Sequence, residues 1–160
     1  MPVPPRTPTS TETAHLKKAC RDPKGLLPDG VSTRLLKAML DAGYIYRADA
    51  DGYRIADANA LDYDGVTTWR ITLPGRRAVL TRAQWRALSE QVGADGAFTP
   101  KVNYVTRMTL QALRLAEFRD GEGRLRPTDG STGLRGPQFG AFPTAVGRDL
   151  AELARGEADG

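Results

Sequence analysis

Residues 32–45 read Ser-Thr-Arg-Leu-Leu-Lys-Ala-Met-Leu-Asp-Ala-Gly-Tyr-Ile. Leu35, Leu36, Met39 and Leu40 recur at i, i+3 and i+4, the spacing of one helical face. Ser32 stands where a side-chain oxygen caps the first turn, and Gly43 where a left-handed residue ends the last one. Beyond Gly43 the period changes to two. Tyr44–Ala48, a turn at Ala50–Gly52 and Tyr53–Ala56 read as a strand pair, and Val66–Leu73 as a further β-branched strand. Pro74 then opens a short helix inside the segment Thr72-x-x-Gly75-Arg76. Upstream, Glu12–Cys20 reads as a first helix and Arg21–Gly30 as a glycine-containing turn.

The same landmarks return in the same order later in the chain. Residues 106–118 read TRMTLQALRLAEF, so that Leu36, Ala38, Met39, Ala42 and Tyr44 face Leu110, Ala112, Leu113, Ala116 and Phe118 at one spacing. Thr144-x-x-Gly147-Arg148 repeats the first T-x-x-G-R, and each copy follows an aromatic residue, Trp69 or Phe142. Gly25-Leu26-Leu27 resembles Gly96-Ala97-Phe98, and Leu16 with Cys20 resembles Leu88 with Val92. Four ordered matches predict an internal duplication. In the second copy Arg82–Val92 is a helix with a Thr81/Gln84 capping box, Gly93–Lys101 is a turn, and Thr106 caps the helix carrying Leu110, Leu113 and Leu115. Arg124–Arg126 and Phe142–Thr144 are strands around a Gly-rich hairpin at 129–140, and Val146–Ala154 closes the unit. Glu117 falls where the first copy has Gly43. The expectation is an α+β chain of two tandem units, 12–80 and 81–155, with a flexible leader at 1–11 and a tail at 156–160. Leu36, Met39, Trp69, Ile71, Leu110, Leu113 and Leu150 are the expected core.

Helix, turn, capped helix, two-strand wing, then an aromatic and T-x-x-G-R: this order resembles the winged helix-turn-helix family, once in each half. The resemblance implies that the capped helix enters the major groove of duplex DNA while the wing meets the backbone. It assigns Thr33, Arg34, Lys37 and Arg54 to DNA contact in the first half. In the second it assigns Thr106, Arg107, Gln111 and Arg114 on the helix, and Arg124, Arg126 and Arg135 on the wing. Arginine reads guanine and glutamine reads adenine through paired hydrogen bonds, and threonine reaches phosphate. Eight basic residues stand against four acidic ones between Lys101 and Arg148, whereas Asp49, Asp51 and Asp57 crowd the first wing. The second half is therefore the expected main contact.

Composition sets the remaining bounds. The 160 residues carry a formal net charge of +4, which permits a polyanionic partner. One cysteine, Cys20, rules out an intrachain disulfide and points to a cytoplasmic location. His15 is the one histidine, and with Cys20 it falls short of the usual four zinc ligands. No stretch approaches the ~18 apolar residues of a membrane span. T-x-x-G-R lacks the glycine spacing and lysine of a phosphate loop, and Asp62 and Asp64 lie in a loop. No cofactor, metal or catalytic residue is expected. The reading is a DNA-binding transcription regulator of a bacterium, plasmid or phage. Its alternative is a winged-helix adaptor that binds a protein partner or a second copy of itself.

Overall fold

Threonine caps, glycine C-termini and alternating β-branched segments cut this chain into short elements, none long enough to fold alone. The computed structural model describes residues 6–128, 130 and 139–159. The fold is mixed α and β, and it divides into two units, Met1–Val79 and Leu80–Gly160.

Unit 1 begins earlier than the sequence suggests. Helix α1 spans Ser10–Arg21, because Thr9 forms a capping box with Glu12. Arg6, placed in the leader by sequence, is tied to Glu12 through Nη1 and Nη2 at 2.7 and 2.6 Å. Helix α2 spans Thr33–Asp41, and the Ser32 hydroxyl accepts the Leu35 N–H, as expected. Gly43, at φ +81°, ends it: Tyr44 N–H reaches the Met39 carbonyl and Gly43 N–H the Leu40 carbonyl. Strand β1 (Ile45–Asp49) pairs antiparallel with β2 (Thr67–Ile71), Ile45 opposite Ile71 and Asp49 opposite Thr67. The expected strand at Tyr53–Ala56 shrinks to one bridge, Ala48 with Arg54, on the edge of β1 opposite β2, because the chain turns away into a 3-10 turn at Asp57–Asn59. Helix α3 (Leu73–Ala78) closes the unit. Leu16, Ala19, Cys20, Met39, Tyr44, Ile45 and Ile71 are buried between these elements. Burial pushes the Cys20 thiol up to about 11. Leu36 and Trp69, expected in the core, are only half-buried. With Leu26, Leu27 and Val31 they line a cleft of about 220 Å³.

Unit 2 repeats several of these devices with different residues. Helix α4 (Arg82–Glu90) starts from the Thr81/Gln84 capping box. Helix α5 (Tyr104–Ala112) is capped by Asn103, whose Oδ1 accepts the Thr106 N–H at 2.8 Å. The expected cap, Thr106, is buried within the first turn of the helix. The residue that leaves α5 in the left-handed region is Arg114, at φ +60°, and not Glu117. Leu115 N–H bonds the Leu110 carbonyl and Arg114 N–H that of Gln111, the pattern seen at Gly43. Strands β3 (Ala116–Arg119), β4 (Leu125–Arg126) and β5 (Gly140–Pro143) form an antiparallel sheet ordered β4-β3-β5. Ala116 lies opposite Pro143, and Phe118 opposite both Ala141 and Arg126. Helix α6 (Ala145–Asp159) follows. Leu110, Leu113 and Leu150 are buried as expected, with Leu88, Leu115 and Phe118.

Both T-x-x-G-R segments act as clamps on a helix end. Thr72 Oγ1 donates to the Gly43 carbonyl at 2.6 Å and accepts the Gly75 N–H at 3.0 Å. Thr144 Oγ1 donates to the Arg114 carbonyl at 2.8 Å and accepts the Gly147 N–H at 3.2 Å. Glycine is required one turn on, because a Cβ at Gly75 would run into the Tyr44 carbonyl and one at Gly147 into the Leu115 carbonyl.

Candidate nucleic-acid interface

Helix α2 turns Met39 and Leu40 inward, and this fixes what faces water. Thr33, Arg34 and Lys37 are exposed on the outward side, at the first, second and fifth positions after the Ser32 cap. Lys37 Nζ contacts Asp41 Oδ2 at 2.7 Å, but both side chains are more than half exposed, so water and salt screen the pair. Arg34 has no ion-pair partner among the described residues. The outward side of α2 thus offers a hydroxyl, a guanidinium and an ammonium within two turns.

The hairpin of unit 1 has a different chemistry. Arg47 is absorbed: its Nε donates to Thr67 Oγ1 at 2.6 Å, its Nη1 donates to the Ala60 carbonyl at 2.6 Å, and its guanidinium lies over the Trp69 ring. Arg54 stacks on Tyr46 and lies 3.2 Å from the Asp57 carboxylate. Residues 50–66 carry four aspartates against that one arginine, so this hairpin repels phosphate.

In unit 2 the structure scatters the expected contacts. Thr106 is buried and Gln111 gives its Nε2 to the Pro127 carbonyl at 2.8 Å. Arg107 is half-buried, with its Nε enclosed and unpaired. Arg114 is exposed, but it serves as the left-handed end of α5. Arg124 and Arg126 both bond Asp120 Oδ2 at 3.1 Å, and Arg124 also meets Glu122. The Arg124 N–H, then the Glu122 N–H and the Arg124 guanidinium, hold the Asp120 carboxyl down at about 2, so it stays ionised beside both arginines. Arg135 lies outside the described residues.

Counting from the caps brings out a contrast hidden in the sequence. The first, second and fifth positions of α2 are Thr33, Arg34 and Lys37; those of α5 are Tyr104, Val105 and Met108. Tyr104 is 48% and Val105 65% exposed, and Leu125 on β4 is exposed as well. The second and fifth helical positions are cationic in one unit and apolar in the other. The signal lay in the caps: Asn103 precedes α5 by the one residue that separates Ser32 from α2. No protein family, curated protein or solved structure matches this chain.

Proposed function

We propose that the protein binds duplex DNA, that its two units are duplicated winged helices, and that unit 1 is the reader. The observation that carries this reading is the outward side of α2, where Thr33, Arg34 and Lys37 stand together, exposed and uncommitted to the core. A helix of this size fits the major groove, where arginine bonds guanine through two donors and lysine and threonine reach base or phosphate oxygens. The duplication is supported by shared devices at matched places: a threonine capping box, a polar cap, a left-handed helix end and a threonine clamp with its glycine. Transcription regulation is the role proposed for such binding. Unit 2 is the weaker candidate for a reader, because the first, second and fifth positions of its helix are apolar or aromatic and its described wing arginines, Arg124 and Arg126, are held by carboxylates.

Band-shift titration against duplexes selected from a random pool tests the reading. Arg34→Ala is expected to cost about 1–3 kcal/mol on the selected site and to relax preference at one or two base pairs. Absence of salt-sensitive duplex binding by the wild-type chain would replace this reading with the second one, a protein adaptor. That second reading is favoured by the exposed Tyr104, Val105 and Leu125.

A further inference from the structure

We infer that unit 1 has a second DNA contact, a sequence-independent surface for the phosphodiester backbone made by Lys17, Lys18, Arg21, Lys24 and Arg76. The inference rests on the duplex-binding reading and adds to α2 a surface built on other elements. Glu12, Leu16, Ala19 and Cys20 form the buried side of α1, which leaves Lys17, Lys18 and Arg21 on its solvent side over the last two turns. Lys24 continues the row, exposed, in the turn that follows. Arg76 joins it from α3: its Nη2 lies 3.0 Å from where a Cβ of Gly25 would stand, so its guanidinium rests against that turn. Gly25 is fixed there because its carbonyl accepts the Ile71 N–H at 2.9 Å.

Residues 17–24 thus carry four cations and one carboxylate, Asp22, whose Oδ2 accepts the Lys24 and Leu26 N–H groups at 2.7 and 3.2 Å, and the half-buried Arg76 adds a fifth cation beside Gly25. The helix dipole favours one or two cations in a last turn. It does not account for Lys24, which lies past the helix, nor for the convergence of Arg76 from another element. Clustered like charge raises the energy of the folded unit unless a polyanion offsets it. Duplex DNA, with its regular line of phosphates and its releasable counterions, is the partner of that chemistry.

The protein reports on this directly, because it has five lysines: Lys17, Lys18, Lys24, Lys37 and Lys101. An amine-reactive label applied to the full chain with and without a selected duplex, read by mass spectrometry, is expected to show protection of Lys17, Lys18 and Lys24 together with Lys37. Protection of Lys37 alone overturns this inference and leaves α2 as the reader. Protection of no lysine overturns both. Protection of Lys17, Lys18 and Lys24 without Lys37 upholds the surface and removes α2 from it. As a second measurement, Lys17→Gln/Lys18→Gln/Lys24→Gln should flatten the salt dependence of binding by about two to three powers of salt concentration and lower affinity alike for all sequences. The changes fall on exposed side chains and relieve like-charge repulsion, so the free variant should melt no lower than the wild type. An unchanged salt slope overturns the inference.

Discussion

Glu12 shows how one residue can decide where a unit begins. Its side chain is buried, and its carboxylate takes two hydrogen bonds from Arg6 and one from the Thr9 N–H. The Arg6 hydrogen bonds are the main reason its carboxyl is lowered from 4.5 to about 2. Arg6 also donates to the Ala38 carbonyl and lies over the Tyr44 ring, so it ties the start of α1 to α2. A carboxyl that is more acidic folded than unfolded stabilises the fold above its unfolded value, and that stability is lost as pH falls toward the folded one. Arg6→Ala should therefore cost unit 1 about 1–2 kcal/mol at pH 7, discounted because the guanidinium is partly exposed. The gap between variant and wild type should close as pH falls from about 4.5 to 2. Denaturant melts at pH 7 and pH 3 check this; equal stability at pH 7 would make the bond ornamental. The sequence hid Arg6 among prolines and threonines, because a pairing partner six residues away leaves no periodic trace.

Two helix ends carry the lesson at the scale of elements. Gly43 and Arg114 both sit in the left-handed region, yet only the first is a glycine. Such a backbone costs roughly 1–2 kcal/mol for an L-residue with a Cβ. Arg114→Gly should accordingly stabilise unit 2 by about 1 kcal/mol, read as a higher denaturation midpoint with an unchanged slope. A lower midpoint would mean that the interactions of the Arg114 side chain outweigh the backbone term. The helix stripes themselves were legible in the sequence, but their alignment was not. Matching Leu36 to Leu110 is wrong by three residues: the caps and left-handed ends match Met39 to Leu110. A slip of three is close to one helical turn, so it returns apolar residues to the same stripe and leaves the pattern almost intact. Only non-periodic residues break this degeneracy, here the caps Ser32 and Asn103 and the clamps Thr72 and Thr144. The slip made Thr106 a cap and a contact, and it concealed that Tyr104, Val105 and Met108 occupy the places of Thr33, Arg34 and Lys37. The hairpin of unit 1 differs from its sequence pattern for another reason. Tyr53–Ala56 alternates as a strand does, but it keeps only the Arg54 bridge on the free edge of β1, because a 3-10 turn at Asp57–Asn59 ends it, whereas Thr67–Ile71 pairs over five residues on the other edge.

Across the whole molecule, among the described residues no helix is long and apolar enough to cross a membrane, and charge is distributed unevenly. Cations gather on α1, α2 and α3 of unit 1, while the hairpin of unit 1 is acidic and the described wing of unit 2 is internally neutralised. If the outward positions of α2 determine binding, exchanging them with those of α5 should move the function with them. Arg34→Val/Lys37→Met gives α2 the second and fifth residues of α5; Val105→Arg/Met108→Lys does the reverse. All four positions lie outside the buried core, so both variants should fold. The first exchange removes one base-reading guanidinium and one ammonium, and affinity for the selected duplex should fall by about tenfold or more. The second adds two cations to a surface whose geometry is already helical. It should raise affinity for all duplexes by a modest, salt-sensitive factor and leave base preference unchanged, because Arg124 and Arg126 remain paired to Asp120. Filter binding of both variants to selected and scrambled duplexes distinguishes the cases. Loss of specific binding on changing Val105 and Met108, with none on changing Arg34 and Lys37, would transfer the reading role to unit 2 and make the apolar row itself the contact.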